Sequence, residues 1–258
     1  MKLAASVTVI AICALPSIAA RADNDSDKQN RYVVTPLTSD LPNTAPNQDP
    51  VLQNAWGVAF TPGGSPFWIA DNATGCSTLY DGAGVPAGGP PPLKVKIPLP
   101  AGQPSATSCM TVPPNANPPP TNAAPTGIVW NPTSTFLVPG TQIAALFIWA
   151  TEDGTVSAWA PSLPDTSQAI LAADNSGSNA VYKGLVFGTN PHGVFLYATD
   201  FRNAKIDVFA PQPSGSNGLF QAANSWAGRE VIRSAASFAR SSSLNGRRSV
   251  EACANRRR

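Results

Sequence analysis

The 258-residue sequence contains 12% charged residues and has a formal net charge of +2. Its 20 Gly and 27 Pro residues favour turns and loops over helices. No stretch shows the 3.6-residue apolar period of an amphipathic helix, which argues against a helical domain and predicts one sizeable all-β domain.

Residues 1–22 have the features of a secretory signal peptide. Lys2 supplies the positive charge, an apolar core follows, and Ala20-Arg21-Ala22 provides the small residues of a cleavage site. The apolar core ends at Pro16 and is shorter than the roughly 20 residues of a transmembrane helix. We therefore expect cleavage after Ala22, no stable membrane span in the mature chain, and a secreted, periplasmic or cell-envelope location.

The mature chain begins with a polar segment at residues 23–50. Within it, residues 31–37 (RYVVTPL) are rich enough in β-branched and aromatic residues to form one strand. Such a strand could complete a sheet formed at the other end of the chain, as an N-terminal strand often does in closed propellers.

Three later segments share one pattern. Each has a Gly followed by an apolar, a small and an aromatic residue, then an aromatic-rich run that ends on Ala, an acidic turn, and a third run that ends on an aromatic residue. Short apolar runs separated by Gly, Pro, Asn and Asp are typical of antiparallel strands joined by tight turns. The quartets are Gly57-Val58-Ala59-Phe60, Gly127-Ile128-Val129-Trp130 and Gly184-Leu185-Val186-Phe187.

The spacing of these units indicates an architecture. The three glycines are separated by 70 and 57 residues, compared with roughly 40 to 50 residues in common propeller blades. A single small sheet cannot bury both faces, whereas radial stacking of such sheets buries the faces and protects the edges. The pattern predicts a β-propeller. Closed propellers have about four to eight blades, so three blades predict an incomplete ring.

A proline-rich insertion separates the first two repeats. Residues 86–125 contain 13 prolines, and the Pro triplets at 90–92 and 118–120 favour extended polyproline conformations. We favour a surface loop over a recognition segment for a proline-binding partner. Residues 93–97 alternate apolar and charged side chains, which suits an outer strand of the first sheet.

Two stretches resemble NHL-type repeats: Pro125-Thr126-Gly127-Ile128, and residues 196–209 with Leu-Tyr-Ala-Thr-Asp followed by Lys-Ile-Asp-Val-Phe. More closely, the chain from about 31 to 212 resembles an uncharacterised secreted bacterial β-propeller family, some members of which carry a PEP-CTERM sorting tail. The resemblance implies a partial propeller over 51–213, with repeats near 51–100, 124–172 and 181–212. It also implies export, but no reaction.

The chain changes character after residue 213. Residues 214–258 contain eight Arg and two Glu, a net charge of +6, whereas residues 23–213 carry 7 basic and 13 acidic residues, a net charge of −6. The tail lacks the repeat pattern, and the resemblance ends at the same place, so we expect a low-order tail that follows a frameshift or premature end. The tail lacks interleaved Lys and aromatic residues, so we predict no nucleic-acid partner.

The sequence predicts no catalytic or metal-binding residue. The single His, His192, lies in an Asn-Pro-His-Gly turn, and neither a Gly-x-Ser-x-Gly elbow nor zinc-type spacing accompanies it. In an exported protein Cys76 and Cys109 can form a disulfide, although spacing alone leaves the bonded and free states open. Cys253 lies in the tail and is predicted to have no role.

Two functional classes follow. The favoured class is an exported binding or scaffold module for a protein or cell-envelope ligand. If the first strand of each repeat is innermost, Asn54, Trp56, Thr126 and Lys183 lie near the mouth of the central channel. The alternative is a calcium-dependent hydrolase resembling propeller lactonases, which needs several Asp, Asn or Glu oxygens converging on one ion. Only Asn54 meets that need, so enzymatic activity is the less favoured reading.

Overall fold

The computed structural model describes residues 32–103, 109–113, 115–117, 121–212 and 218–223. The predictions for the signal peptide and for Cys253 lie outside these residues, as does the basic tail apart from 218–223. The chain divides into two units, Met1–Thr35 and Pro36–Arg258. Only residues 32–35 of the first unit are described, and they are exposed and outside any strand.

Two short strands of the second unit, β1 (Thr38–Ser39) and β2 (Asn47–Gln48), pair in parallel. The other twelve strands form three four-stranded antiparallel sheets. The first sheet contains β3 (Ala55–Ala59), β4 (Phe67–Asp71), β5 (Cys76–Tyr80) and β6 (Lys94–Lys96). The second contains β7 (Pro125–Trp130), β8 (Phe147–Thr151), β9 (Thr155–Trp159) and β10 (Ile170–Asp174). The third contains β11 (Tyr182–Asn190), β12 (Gly193–Asp200), β13 (Lys205–Ala210) and β14 (Gln221–Ala222).

Within the described residues the regular structure consists of these strands and one 3-10 turn at Ser176–Ser178, which confirms the all-β prediction. Residues 32–37 form no strand, so the strand considered for 31–37 is wrong over its described part. Its side chains are exposed, including Tyr32 and Val34, and therefore gain no burial from pairing. The described part of the chain has no helix with the length and apolar character needed to cross a bilayer.

Each sheet is a meander in which strands adjacent in sequence are adjacent in space. Tight turns join the second and third strands, and in the first two sheets Gly75 (φ 68°) and Gly154 (φ 78°) occupy the left-handed turn position. A side chain at that backbone angle is disfavoured, which explains glycine there. The third sheet has Ala204 (φ 51°) at the same place.

The three sheets pack face to face in chain order. In the first seam, between the first and second sheets, the Trp68 ring stacks on Phe147 at 4.6 Å and contacts Trp159 at 4.7 Å. In the second seam, between the second and third sheets, Phe136 packs edge-on against Phe187 at 5.1 Å. The second sheet is therefore covered on both faces, and all residues of its strands β8 and β9 are buried.

Two glycines bring the first strands of neighbouring sheets into backbone contact. A Cβ added at Gly57 would lie 2.5 Å from the Thr126 carbonyl oxygen, and one added at Gly127 would lie 2.7 Å from the Leu185 backbone nitrogen. Neither position has space for even an alanine side chain. Strands β3, β7 and β11 therefore lie side by side along one edge of the stack.

Candidate functional site

A β-bulge interrupts the beginning of each first strand. The pairing register shifts between residues 55 and 58 in β3, 125 and 128 in β7, and 182 and 184 in β11. A bulge leaves one residue outside the regular ladder and redirects side chains. Trp56, Thr126 and Lys183, three of the four residues predicted at the channel mouth, lie at these bulges. The repeat thus places three irregular positions at equivalent points of three stacked sheets.

Two of the bulge residues meet across the stack. The Lys183 ammonium nitrogen lies 4.8 Å from the centroid of the Trp56 ring, a cation–π distance. The same ammonium group donates a hydrogen bond to the Glu152 carboxylate and forms an ion pair with it. Three residues are here called the bulge cluster: Trp56 of the first sheet, Glu152 of the β8–β9 turn in the second sheet, and Lys183 of the third sheet.

The bulge cluster is accessible to solvent. The Trp56 residue is 44% exposed, and the side chains of Lys183 and Glu152 retain 32% and 31% of their accessible surface. Partial burial orders these side chains while leaving an indole, a cation and an anion open to a ligand. Such a mixture of one apolar surface and a few convergent polar groups is typical of ligand sites.

Glu152 belongs to the acidic turn of the second repeat, where its adjacency to Asp153 is poor geometry for a carboxylate pair. Its neighbour Asp153 points away from it, and the Asp153 carboxylate accepts a hydrogen bond of 2.8 Å from the Ala124 backbone N–H. Burial raises the pKa of Asp153, and that hydrogen bond partly offsets the rise. The two carboxylates therefore have separate environments: Asp153 fixes the turn, while Glu152 faces Lys183.

Thr126 is buried rather than open to a ligand. Its hydroxyl group contacts two backbone carbonyls, that of Tyr182 at 2.8 Å and that of Ala150 at 3.2 Å. It therefore ties β7 to β11 across the second seam. Thr126 occupies the same repeat position as Trp56 and Lys183. Its short side chain does not reach the surface and instead hydrogen-bonds to buried backbone carbonyls.

Asn54 lies at the surface of the first seam. Its side-chain amide donates a hydrogen bond of 2.9 Å to the Asn72 side-chain oxygen, and Asn54 adopts a left-handed backbone angle of 52°. The Asn72 amide in turn donates a 3.4 Å bond to the Pro125 carbonyl. This amide pair joins the residue before β3 to the residue after β4, and Asn54 is not part of the bulge cluster.

The blade-start positions do not form a set of calcium ligands. They provide one amide (Asn54), one hydroxyl already bonded to backbone carbonyls (Thr126) and one ammonium group (Lys183), whereas calcium takes about six to eight oxygens. A cation at Lys183 also repels a metal ion. Among the residues that the structure describes, no group of three or more His, Cys, Asp or Glu side chains could hold a metal ion.

A second polar cluster is buried beneath the outer part of the first sheet. The Tyr80 hydroxyl donates to the Asp49 carboxylate at 3.1 Å, and Lys94 forms an ion pair with Asp49 at 3.3 Å. Residues 36–53 thereby cover the outer part of this sheet. Asp71 is fully buried beside this network. Its carboxylate oxygens make no hydrogen bond of normal length and angle within the described chain, and the nearby Thr78 only partly offsets the effect of burial on the pKa of Asp71.

The two cysteines lie together at this place. Both are free thiols, Cys76 buried and Cys109 partly buried. Burial raises the pKa of Cys76, and a hydrogen bond with the neighbouring Cys109 thiol adds to the rise. Burial, followed by the nearby Cys76, likewise raises the pKa of Asp71 well above its usual value. The fold thus brings the Cys76 and Cys109 thiols together. Their oxidation to a disulfide stays a prediction.

His192 lies in the turn between β11 and β12, where its backbone N–H donates to the Asn190 side chain at 2.8 Å. The Asn-Pro-His-Gly segment therefore forms the predicted turn, and the structural role expected of the His192 imidazole stays a prediction.

No family model matches the sequence. The chain is 30% identical over 176 residues to an uncharacterized protein of Acanthamoeba polyphaga mimivirus. The match covers 67% of this chain but only 37% of the viral protein, so this chain corresponds to just over a third of that relative's length.

Proposed function

We propose that this chain is part of a β-propeller of NHL-like blades that acts, after export, as a binding or scaffold module. Support for the propeller comes from three equivalent four-stranded meanders, stacked in order with their first strands adjacent. Glycine at the two seams permits that close approach. Radial stacking with innermost first strands is the arrangement expected of propeller blades.

The observation that carries the binding role is the bulge cluster, to which three consecutive sheets each contribute one side chain. A ligand placed there contacts an indole ring and an ammonium–carboxylate pair. Indole rings stack well on the apolar faces of ligands, and the charged pair fixes ligand orientation. A cell-envelope glycan that carries carboxylates, such as a muropeptide, has both features.

The test is titration of soluble muropeptides into the purified protein by calorimetry. Trp56→Ala removes the aromatic surface, and loss of such an interface anchor costs about 2 kcal/mol, or roughly thirtyfold in Kd. Tyr32→Ala is the matched control, because Tyr32 is an exposed aromatic residue outside the sheets. Absence of wild-type binding, or equal binding by Trp56→Ala, would contradict the proposal.

Export is tested separately. We expect the protein recovered from the medium or the cell envelope to begin at Asp23, as determined by N-terminal sequencing. Recovery of the chain in the cytoplasm with Met1 or Lys2 still present contradicts export without bearing on ligand binding.

A further inference from the structure

The two end sheets of the stack each leave one face open near the first strands. On the first sheet this open face carries Val58, Phe60 and Phe67, which are 58%, 55% and 40% exposed. On the third sheet it carries Val186 and Ile206, which are 58% and 42% exposed. Large apolar side chains that are exposed together indicate a surface that binds another protein.

The internal repeat shows what each open face resembles. Strand register makes Val58, Phe60 and Phe67 equivalent to Ile128, Trp130 and Phe147 of the second sheet. Those second-sheet residues face the first sheet, and Phe147 is fully buried there by Trp68. The open face of the first sheet therefore corresponds to the face of the second sheet that packs against the sheet before it.

The third sheet supplies the complementary face. Register makes Val186 and Ile206 equivalent to Ala59 and Ser77 of the first sheet, which are buried on the side facing the second sheet. The open face of the third sheet therefore corresponds to the face of the first sheet that packs against the sheet after it. The described residues thus carry both halves of a seam and leave it open.

Gly184 gives independent support. Its equivalents Gly57 and Gly127 are required because the next sheet's first strand lies within 2.5 to 2.7 Å of an added Cβ. At Gly184 the added Cβ meets only the Thr199 hydroxyl, at 3.1 Å. Gly184 has no left-handed backbone angle that would demand glycine. Within the described residues no strand of a neighbouring sheet approaches the added Cβ at Gly184, in contrast to those at Gly57 and Gly127, whereas a strand docked on the open face would.

We propose that a second copy of this chain docks here, with its β3 against β11 of the first copy. This inference rests on the propeller arrangement proposed above. A two-fold axis then forms two identical seams, so that each copy closes both open faces of the other. Two copies of the three described sheets give a closed ring of six, within the range of roughly four to eight sheets found in propellers.

The open faces make contact along the inner strands. Residues 36–53 already cover the outer part of the first sheet, where Asp49 holds Tyr80 and Lys94. The exposed residues on β3 and at the start of β4 lie closer to the edge formed by the first strands, and residues 36–53 leave them uncovered. The seam between copies is thus narrower than the two internal seams, which predicts a dissociable pair whose population depends on concentration.

Sedimentation velocity of the full chain over a concentration series tests the proposal. We expect a species with twice the mass of one chain, converting to monomer on dilution. Gly184→Ala places a methyl group where the docked strand lies and weakens association roughly tenfold or more. Gly63→Ala is the matched control, because nothing lies within 4 Å of its added Cβ, and its association is unchanged.

A cross-link locates the contact. In the double variant Val58→Cys and Val186→Cys, oxidation joins position 58 of one copy to position 186 of the other, identified by mass spectrometry. These positions lie on opposite ends of one stack, so a link within one chain contradicts the described fold. A monomer at all concentrations, open polymers, or an unchanged constant for Gly184→Ala overturns the proposal. Muropeptide binding by a monomer shows that the dimer is wrong while the binding function stands.

Discussion

The second and third sheets share one repeat but differ in what covers them. In the second sheet, strand β8 is buried on both faces and carries Phe147 and Trp149. In the third, strand β12 is buried toward the second sheet, while Thr199 on its other side is exposed. Coverage, rather than the strand pattern itself, determines which residues of the repeat contribute most to stability.

Phe147→Ala is expected to have the largest effect. Phe147 is fully buried and stacks on Trp68, so its removal leaves a cavity and costs about 3 to 5 kcal/mol of unfolding free energy. Ile206→Ala on the open face of the third sheet is the matched change and costs under about 1 kcal/mol in dilute monomer. Urea denaturation monitored by circular dichroism measures both. If both variants lose the same unfolding free energy, the second and third sheets are covered to the same extent and the comparison is wrong.

Gly127→Ala sharpens the comparison at backbone level. The added Cβ lies 2.7 Å from backbone and side-chain atoms of Leu185 in the second seam, and overpacking of this kind costs about 1 to 3 kcal/mol. Gly184→Ala, at the same repeat position of the third sheet, is expected to leave the stability of dilute monomer nearly unchanged. If both variants lose stability equally, contact between the sheets does not explain the glycine at Gly127.

Asp71 in the first sheet and Thr151 in the second occupy equivalent positions with opposite outcomes. The Thr151 hydroxyl and the Thr155 hydroxyl share a hydrogen bond of 2.8 Å, whereas the buried Asp71 carboxylate makes no hydrogen bond of normal geometry to the residues that the structure describes. Burial, then Cys76, raises the folded pKa of Asp71 above its unfolded value. The folded state therefore binds the Asp71 proton more tightly, and stability is lost as pH rises from the unfolded pKa through the folded one.

Asp71→Asn removes that titration. We expect the melting temperature of Asp71→Asn to exceed that of the wild type at pH 7 to 8 and to approach it at about pH 3.5, where the unfolded carboxyl is largely protonated. Asp165→Asn is the control, because Asp165 is exposed and hydrogen bonds from the Ser167 hydroxyl and backbone N–H lower its pKa, so that its replacement brings no gain in stability at neutral pH. A wild-type advantage at neutral pH would indicate that the Asp71 carboxylate is charged and has a partner in solution.

Calcium is expected to have the smallest effect. Since the blade-start residues include an ammonium group and a hydroxyl already bonded to backbone, millimolar calcium should leave the melting temperature within error of that in a chelator. A saturable rise in melting temperature would overturn this expectation and revive the hydrolase reading. Magnesium at the same ionic strength separates specific binding from screening.

Strands and turns were predictable because their signals are local. The Gly-apolar-small-aromatic quartets and the acidic turns coincide with observed first strands and turns. The bulges were not predictable, because a register shift depends on the partner strand. For the same reason the sequence could not distinguish Thr126, which is buried on backbone carbonyls, from Trp56 and Lys183, which meet at the surface.

Glu152 was missed as a site residue for a related reason. Turn chemistry accounts for an acidic pair without invoking any ligand, and the sequence contains no sign that Lys183, 31 positions later, comes within hydrogen-bond reach. Contacts between sheets depend on how repeats stack, and that depends on seam packing. The sequence left open whether Cys76 and Cys109 are bonded or free, because residue spacing does not determine the distance between two thiols.

Coverage of the second sheet on both faces also affects how the protein opens. In a linear array each sheet gains stability only from its immediate neighbours. The middle sheet has two neighbours and the outer sheets have one, so local opening should begin at the ends and reach β8 and β9 last. Amide hydrogens of β8 and β9 should then exchange with solvent only through global unfolding. Amide hydrogens of β14, at the edge of an outer sheet, should exchange earliest through local opening.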